Sequence, residues 1–150
     1  MQYEHFDADI REGVAHISLV GPELPLLASV CDEFLDLMLR LQDDNAARAV
    51  LITDGDQSFD LPLNLELAAE ARRGEADFGP IAADLDQARK VVTMIRELAK
   101  PVVTATRGDV RGAGLGFYLA ADVRLASRGA TFTAPDMAAG LMPVWGLTHT

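Results

Sequence analysis

Cysteine is almost absent from this sequence: Cys31 is the only one among 150 residues. A single thiol excludes an intrachain disulfide and a cysteine-built zinc site, and it fits a reducing compartment. Positive charge is scarce as well. Thirteen Lys and Arg stand against 23 Asp and Glu, a formal net charge of −10. Nucleic acids and anionic membranes are bound through Lys/Arg-rich faces, so neither is an expected partner. No apolar run approaches the roughly 20 residues of a membrane-spanning helix. The opening MQYEHFDAD is acidic where a signal peptide is basic. These absences predict a soluble, cytoplasmic protein. With 49% hydrophobic residues, the chain suffices for one globular domain with a real core.

What is present concentrates in Lys100 to Asp136, KPVVTATRGDVRGAGLGFYLAADVRLASRGATFTAPD. Pro101 disfavours helix at the residue before it, and Val102, Val103 and Thr104 suit a buried strand. Gly108, Gly112, Gly114 and Gly116 allow a tight turn and close backbone approach to a bound group, with helix resuming over Phe117 to Ala121. Unpaired N–H groups at that helix start favour negative charge developing on a ligand oxygen.

The rest of the chain reads as alternating α/β. Tyr3 to Ile10 and Val14 to Leu19 alternate as a hairpin around Arg11-Glu12-Gly13. Leu27, Cys31, Phe34, Met38 and Leu41 mark one face of an amphipathic helix beginning near Leu26 and closed by Asp43-Asp44-Asn45. Val50 to Thr53 is a short buried strand with its turn at Asp54-Gly55-Asp56. Pro62 suits the first position of a helix running to Arg73, and Gly74 to Gly79 is a polar link. Ile81, Leu85, Ala88, Val92, Ile95 and Ala99 give the inner face of a long helix. Val123 to Ala126 and Thr131 to Thr133 read as two further strands, joined by Arg128-Gly129. Strand-turn-helix recurs near residues 50 and 102, for which a right-handed βαβ arrangement is the default.

This ordered set resembles the crotonase superfamily, the enoyl-CoA hydratase/isomerase group. The likeness covers nearly the whole chain. It is most specific from Lys100 to Pro143, where KPV, a glycine-rich helix start, ADVRLAS and a Pro-acid-x-x-x-Gly run recur in order. It implies an α/β fold of the ClpP/crotonase type, a ββα superhelix of two roughly perpendicular sheets. It also implies acyl-CoA thioester substrates, with CoA entering as part of the substrate and no separate cofactor or metal, and homotrimers or hexamers. Residues 1–150 correspond to the core domain without most of the family's C-terminal helical region. Relatives continue for roughly another hundred residues, within ordinary domain sizes. The resemblance therefore implies a piece of a longer chain, or a shortened core completed by oligomerisation.

The chemistry implied is thioester enolate stabilisation by two backbone N–H groups, which fall on Leu61 and Ala113. Backbone donors suit the task because they are preorganised where charge develops and do not titrate. Leu63, Asn64, Gly112, Gly114 and Gly116 fall around the substrate. Both donor loops depart from the family pattern: a small residue followed by Gly-Ala-Asp becomes Leu61-Pro62-Leu63-Asn64, and a triple glycine becomes Gly112-Ala113-Gly114. Ala113 costs little unless its position needs a positive φ. Family hydratases use two glutamates to hold and activate water. Here the first acid position is Gly116 and the second is Asp136. One acid suits a double-bond isomerase, which removes a proton near the thioester and returns it elsewhere on the allylic system. Hydratase (lyase) chemistry and a non-catalytic acyl-CoA-binding module are the alternatives. A Clp-type serine peptidase is disfavoured, since Asp109 to Ala121 contains no Ser or Cys nucleophile.

Other residues have plainer readings. Asp136 after Pro135 doubles as a turn or helix N-cap acid. Asp122 is structural, capping the helix or pairing with Arg124. His5 and His16 lack acidic or cysteine partners at ligand spacing, which favours surface or packing roles. Trp145 packs in the loop after Pro143, with lining of an acyl pocket as the alternative. Arg107, Arg111 and Arg128 are solvated, or they meet CoA phosphates.

Overall fold

The computed structural model describes residues 3–20, 27–55, 58–61 and 65–138. β1 (Phe6–Arg11) and β2 (Val14–Leu19) form the antiparallel hairpin, in the register Phe6↔Leu19 to Arg11↔Val14. The turn is tight: Glu12 and Gly13 both adopt positive φ, at 52° and 83°. α1 (Leu27–Asp43) follows, then β3 (Ala49–Thr53), β4 (Phe59–Leu61), α2 (Leu65–Arg73) and α3 (Gly79–Glu97). The chain continues through β5 (Val102–Thr106), β6 (Asp109–Gly112), α4 (Ala113–Ala120), β7 (Val123–Ala126), β8 (Thr131–Thr133) and α5 (Pro135–Ala138). The strands make two sheets, one ordered β1-β2-β3-β5-β7 and one ordered β4-β6-β8. Apart from the first hairpin, every pairing is parallel. Each strand of the larger sheet from β3 onward hands the chain to a short strand of the smaller one and then to helix, a repeated ββα unit.

Hydrophobic periodicity explains where the core sits. Ala15, Ile17 and Leu19 of β2 and Val50 and Ile52 of β3 are buried on one face of the large sheet. Against them lie Val30, Cys31, Phe34, Leu37, Met38 and Leu41 of α1. The inner face expected of α3 holds at Ile81, Ala88, Val92 and Ile95, with Val91 added and Leu85 half-buried. Ala99 leaves it. α3 ends at Glu97, where Leu98 turns extended (φ −61°, ψ 124°) ahead of Lys100-Pro101, so Leu98 reaches the core and Ala99 is exposed. Phe34 joins three elements, meeting Phe6 edge-on at 5.2 Å and Phe117 of α4 at 5.6 Å. Burial of one such ring contributes about 1.5–3 kcal/mol.

Polar groups tie the elements at their ends. The Lys100 ammonium donates to the Leu41 and Asp44 carbonyls, satisfying acceptors at the C-terminus of α1. Asp122 accepts from the Val102 backbone N–H at 2.8 Å while its own N–H donates to the Val102 carbonyl at 3.0 Å. Its role is structural as expected, but the partner is β5 rather than Arg124. Arg124 donates instead to the carbonyls of Leu119 and Ala121 at the end of α4.

β4 and β6 correct the sequence reading, which placed a loop and a continuous glycine turn there. Both are too short for their alternation to be told from chance, and parallel pairing with one another defines them. At the far edge, Val123, Leu125 and Phe132 are 49%, 54% and 45% exposed. Among the described residues no helix is long and apolar enough to cross a membrane.

Burial, with the Asp32 and Asp84 carboxylates adding to it, pushes the Cys31 thiol up to about 12 from 9.0. A thiol pKa raised on folding adds stability below pH 9.0 that is lost as pH climbs toward 12. At pH 8 the folded protein should therefore react with an aromatic disulfide about a thousandfold more slowly than the unfolded chain. Absorbance of the released thiolate in native buffer and in denaturant checks this; equal rates would contradict the burial.

Candidate active site

The parallel register of β4 on β6 places Leu61 opposite Gly112, so Leu61 and Ala113 come together at one end of the small sheet. Gly112 makes the turn from β6 into α4 with φ 56° and ψ −130°, a combination favourable only to glycine. The positive φ thus falls on Gly112. Ala113 is the first helical residue and is buried, so a methyl group is accommodated at the helix start. No side chain caps α4, which leaves its first N–H groups oriented toward whatever lies beyond the helix start.

Gly114 is required for a different reason. A Cβ there would lie 1.9 Å from the Phe59 carbonyl oxygen and 2.7 Å from its carbon. Absence of that carbon lets α4 rest directly on β4. Tyr118, one turn further on, packs its ring between Phe59 at 6.2 Å and Phe132 of β8 at 5.2 Å. Burial pushes the Tyr118 hydroxyl pKa up, with Arg124 partly offsetting it. The helix start is therefore braced from both sides of the small sheet.

The bend between the two sheets is held by a residue that the sequence reading treated only as a turn former. Asp54, 2% exposed, directs Oδ2 at three donors: Thr106 Oγ1 at 2.7 Å, Arg107 N at 2.6 Å and Gly108 N at 3.0 Å. This carboxylate fixes the link from β5 to β6 and hence the approach to Gly112. The only sequence signal was an acid directly after a buried strand, which turn chemistry explains equally well. Gly55 beside it has φ 58°, and a Cβ there would meet the Leu19 carbonyl oxygen at 2.5 Å. A groove of about 790 Å³ opens at this edge, lined in part by Asp7, Ser18, Thr53, Asp54, Arg107 and Ser127. Its carboxylates offset its one arginine, whose guanidinium donates to the Gly55 carbonyl at 2.8 Å. Arg111 and Arg128 are exposed.

The proposed acid positions differ in what they offer. Gly116 is buried within α4 and supplies no carboxylate. Asp136 lies in α5, which packs against β6, so its backbone belongs to the same end of the small sheet; its side chain lies outside the described residues. Leu63, Asn64 and Trp145 also lie outside the described residues. The arrangement brings together the end of β4, an uncapped helix N-terminus and one acid-bearing helix, which suits chemistry that builds negative charge on a carbonyl oxygen.

Because Gly114 seats α4 on β4, Gly114→Ala should push the Phe59 carbonyl aside and separate the start of α4 from the end of β4. The expected cost is about 1–3 kcal/mol, measured by urea unfolding; an unchanged midpoint would contradict the close packing.

Comparison with known proteins agrees with this geometry. Residues 9–150 match the family model described as enoyl-CoA hydratase/isomerase. Carnitinyl-CoA dehydratase of Proteus mirabilis is 31% identical over 135 residues, covering 89% of this chain and 49% of the relative. A carnitinyl-CoA dehydratase of Escherichia coli is 33% identical over 132 residues, covering 87% and 48%. The chain thus spans about half the length of these curated relatives. Among solved structures, Pseudomonas aeruginosa DspI superimposes with a TM-score of 0.83 at 22% identity, over 98% of this chain and 59% of that one. An enoyl-CoA hydratase from Shewanella pealeana gives 0.78 at 19% identity, over 97% and 55%. The fold is that of the crotonases, and with its family match running from residue 9 to residue 150 the chain belongs to the enoyl-CoA hydratase/isomerase family.

Proposed function

We propose that this chain binds an acyl-CoA thioester and stabilises its enolate, with CoA entering as part of the substrate. The observation that carries the reading is the Leu61↔Gly112 register beside the uncapped start of α4. The thioester oxygen accepts from the Leu61 and Ala113 N–H groups. Asp136 removes a proton from the acyl chain, charge moves to that oxygen, and the proton returns to another carbon of the allylic system. Atoms balance without water, so the net change is a shifted double bond. Buried Gly116, with no acid side chain, favours this single-acid isomerase-like course over hydration. Similarity to carnitinyl-CoA dehydratases supports a second reading, reversible water elimination. The apolar side chains of Val123, Leu125, Phe132 and Met137, 45% to 62% exposed, support assembly into homotrimers or hexamers.

Assays with 3-enoyl-CoA and 2-enoyl-CoA separate the readings. Isomerisation of the first should fall by about 10²- to 10⁴-fold in Asp136→Asn. Hydration of the second as the main activity would favour the lyase reading. Tight calorimetric binding of a CoA thioester with no turnover of either would reduce the chain to a binding module. Sedimentation velocity should give a trimer or a multiple of it; a monomer at micromolar concentration would contradict the assembly.

A further inference from the structure

The sequence reading found no acidic partner for His5 at ligand spacing. Folding supplies two. Glu33 lies on α1, and its carboxylate accepts from the Glu4 backbone N–H at 3.1 Å and from the His5 N–H at 3.0 Å. The His5 carbonyl accepts from Val20 N–H at 3.0 Å, so the residue is held from both sides. One ligand atom each from Glu4, His5 and Glu33 lies within 4.8 Å of the others.

Two features set this group apart from an ordinary acidic surface. The His5 side chain is buried, the residue only 5% exposed, yet neither ring nitrogen has a hydrogen-bond partner among the described residues. Buried polar groups are normally satisfied, so an imidazole facing two carboxylate oxygens lacks the group it is shaped to meet. In addition, no ion pair reaches Glu4 or Glu33 among the described residues. The nearby Arg40 is engaged by Asp36 at 2.8 Å, and Asp36 also accepts from the Tyr3 hydroxyl at 2.7 Å. Two carboxylates thus converge on this ring, and no side-chain counter-charge pairs with them among the described residues.

We propose that Glu4, His5 and Glu33 form a binding site for a divalent transition-metal ion of the zinc type, clamping the start of β1 to α1. One imidazole nitrogen and two carboxylate oxygens are a donor set that zinc accepts, with water completing the tetrahedron. Bonds of about 2.1 Å at the tetrahedral angle set ligand atoms about 3.4 Å apart, so from separations within 4.8 Å a closure of up to about 1.4 Å by side-chain rotation brings all three into range. Glu33 keeps lone pairs for the metal while its oxygens accept from the backbone, which orients the carboxylate in advance. The ion is structural: the enolate site uses neither His5 nor its neighbours.

The test is a zinc titration of the full chain at pH 7.5, followed by calorimetry, with cobalt as a spectroscopic reporter. One equivalent should bind, and a free concentration about 100 times the Kd should raise Tm by about 5–10 °C. Glu4→Gln, at an exposed position, should weaken binding by about 10-fold or more, and His5→Gln by more still, while His16→Gln leaves it unchanged. Absence of saturable binding would overturn the proposal. So would binding that survives in Glu4→Gln or disappears in His16→Gln. If His5→Gln fails to fold, Glu4→Gln decides the matter.

Discussion

One buried carboxylate oxygen governs how the two sheets of this protein meet. Asp54 Oδ2 receives a side-chain hydroxyl and two consecutive backbone N–H groups from the β5–β6 link, at a position with almost no contact with water. Hydrogen bonds to an ionised group contribute about 1.5–3 kcal/mol each, and the desolvated charge is costly without them. The bend therefore has one arrangement in which its polar groups are satisfied. From that bend β6 runs beside β4, and the turn at Gly112 starts α4 where Leu61 ends β4.

The second constraint is steric. Gly114 lets a helix lie against the Phe59 carbonyl, and Gly112 lets the backbone take a conformation that side chains oppose. Together they bring the start of α4 to the end of β4. Ala113, the first helical residue, is buried there without strain of its own, because the positive φ falls on Gly112. The meeting of α4 with β4 thus depends on one carboxylate and two glycines.

Much of the fold was legible in the sequence. The hairpin, α1, β3, α3 and β5 each show their period clearly, because each buries one face against the same core. β4 and β6 were not legible. Three- and four-residue strands carry no usable alternation, and Phe59-Asp60-Leu61 and Asp109-Val110-Arg111-Gly112 are strands through pairing with each other. Of the residues singled out from the sequence, Leu61 and Gly112 are paired across β4 and β6, with Ala113 and Gly116 in the helix that follows. The Asp54 donors lie about fifty residues away in sequence, and Glu33 lies 28 residues from His5. No local spacing reports such pairings.

By itself the sequence determined α1, α3, the long strands and the excess of acidic residues, because these follow from local periodicity and composition. Tertiary structure alone decided which glycine bears the positive φ, which carboxylate is buried, and which residues face Leu61 and His5. Those outcomes depend on distant segments competing for the same hydrogen-bond donors and the same space, and that competition is resolved only when the chain is folded.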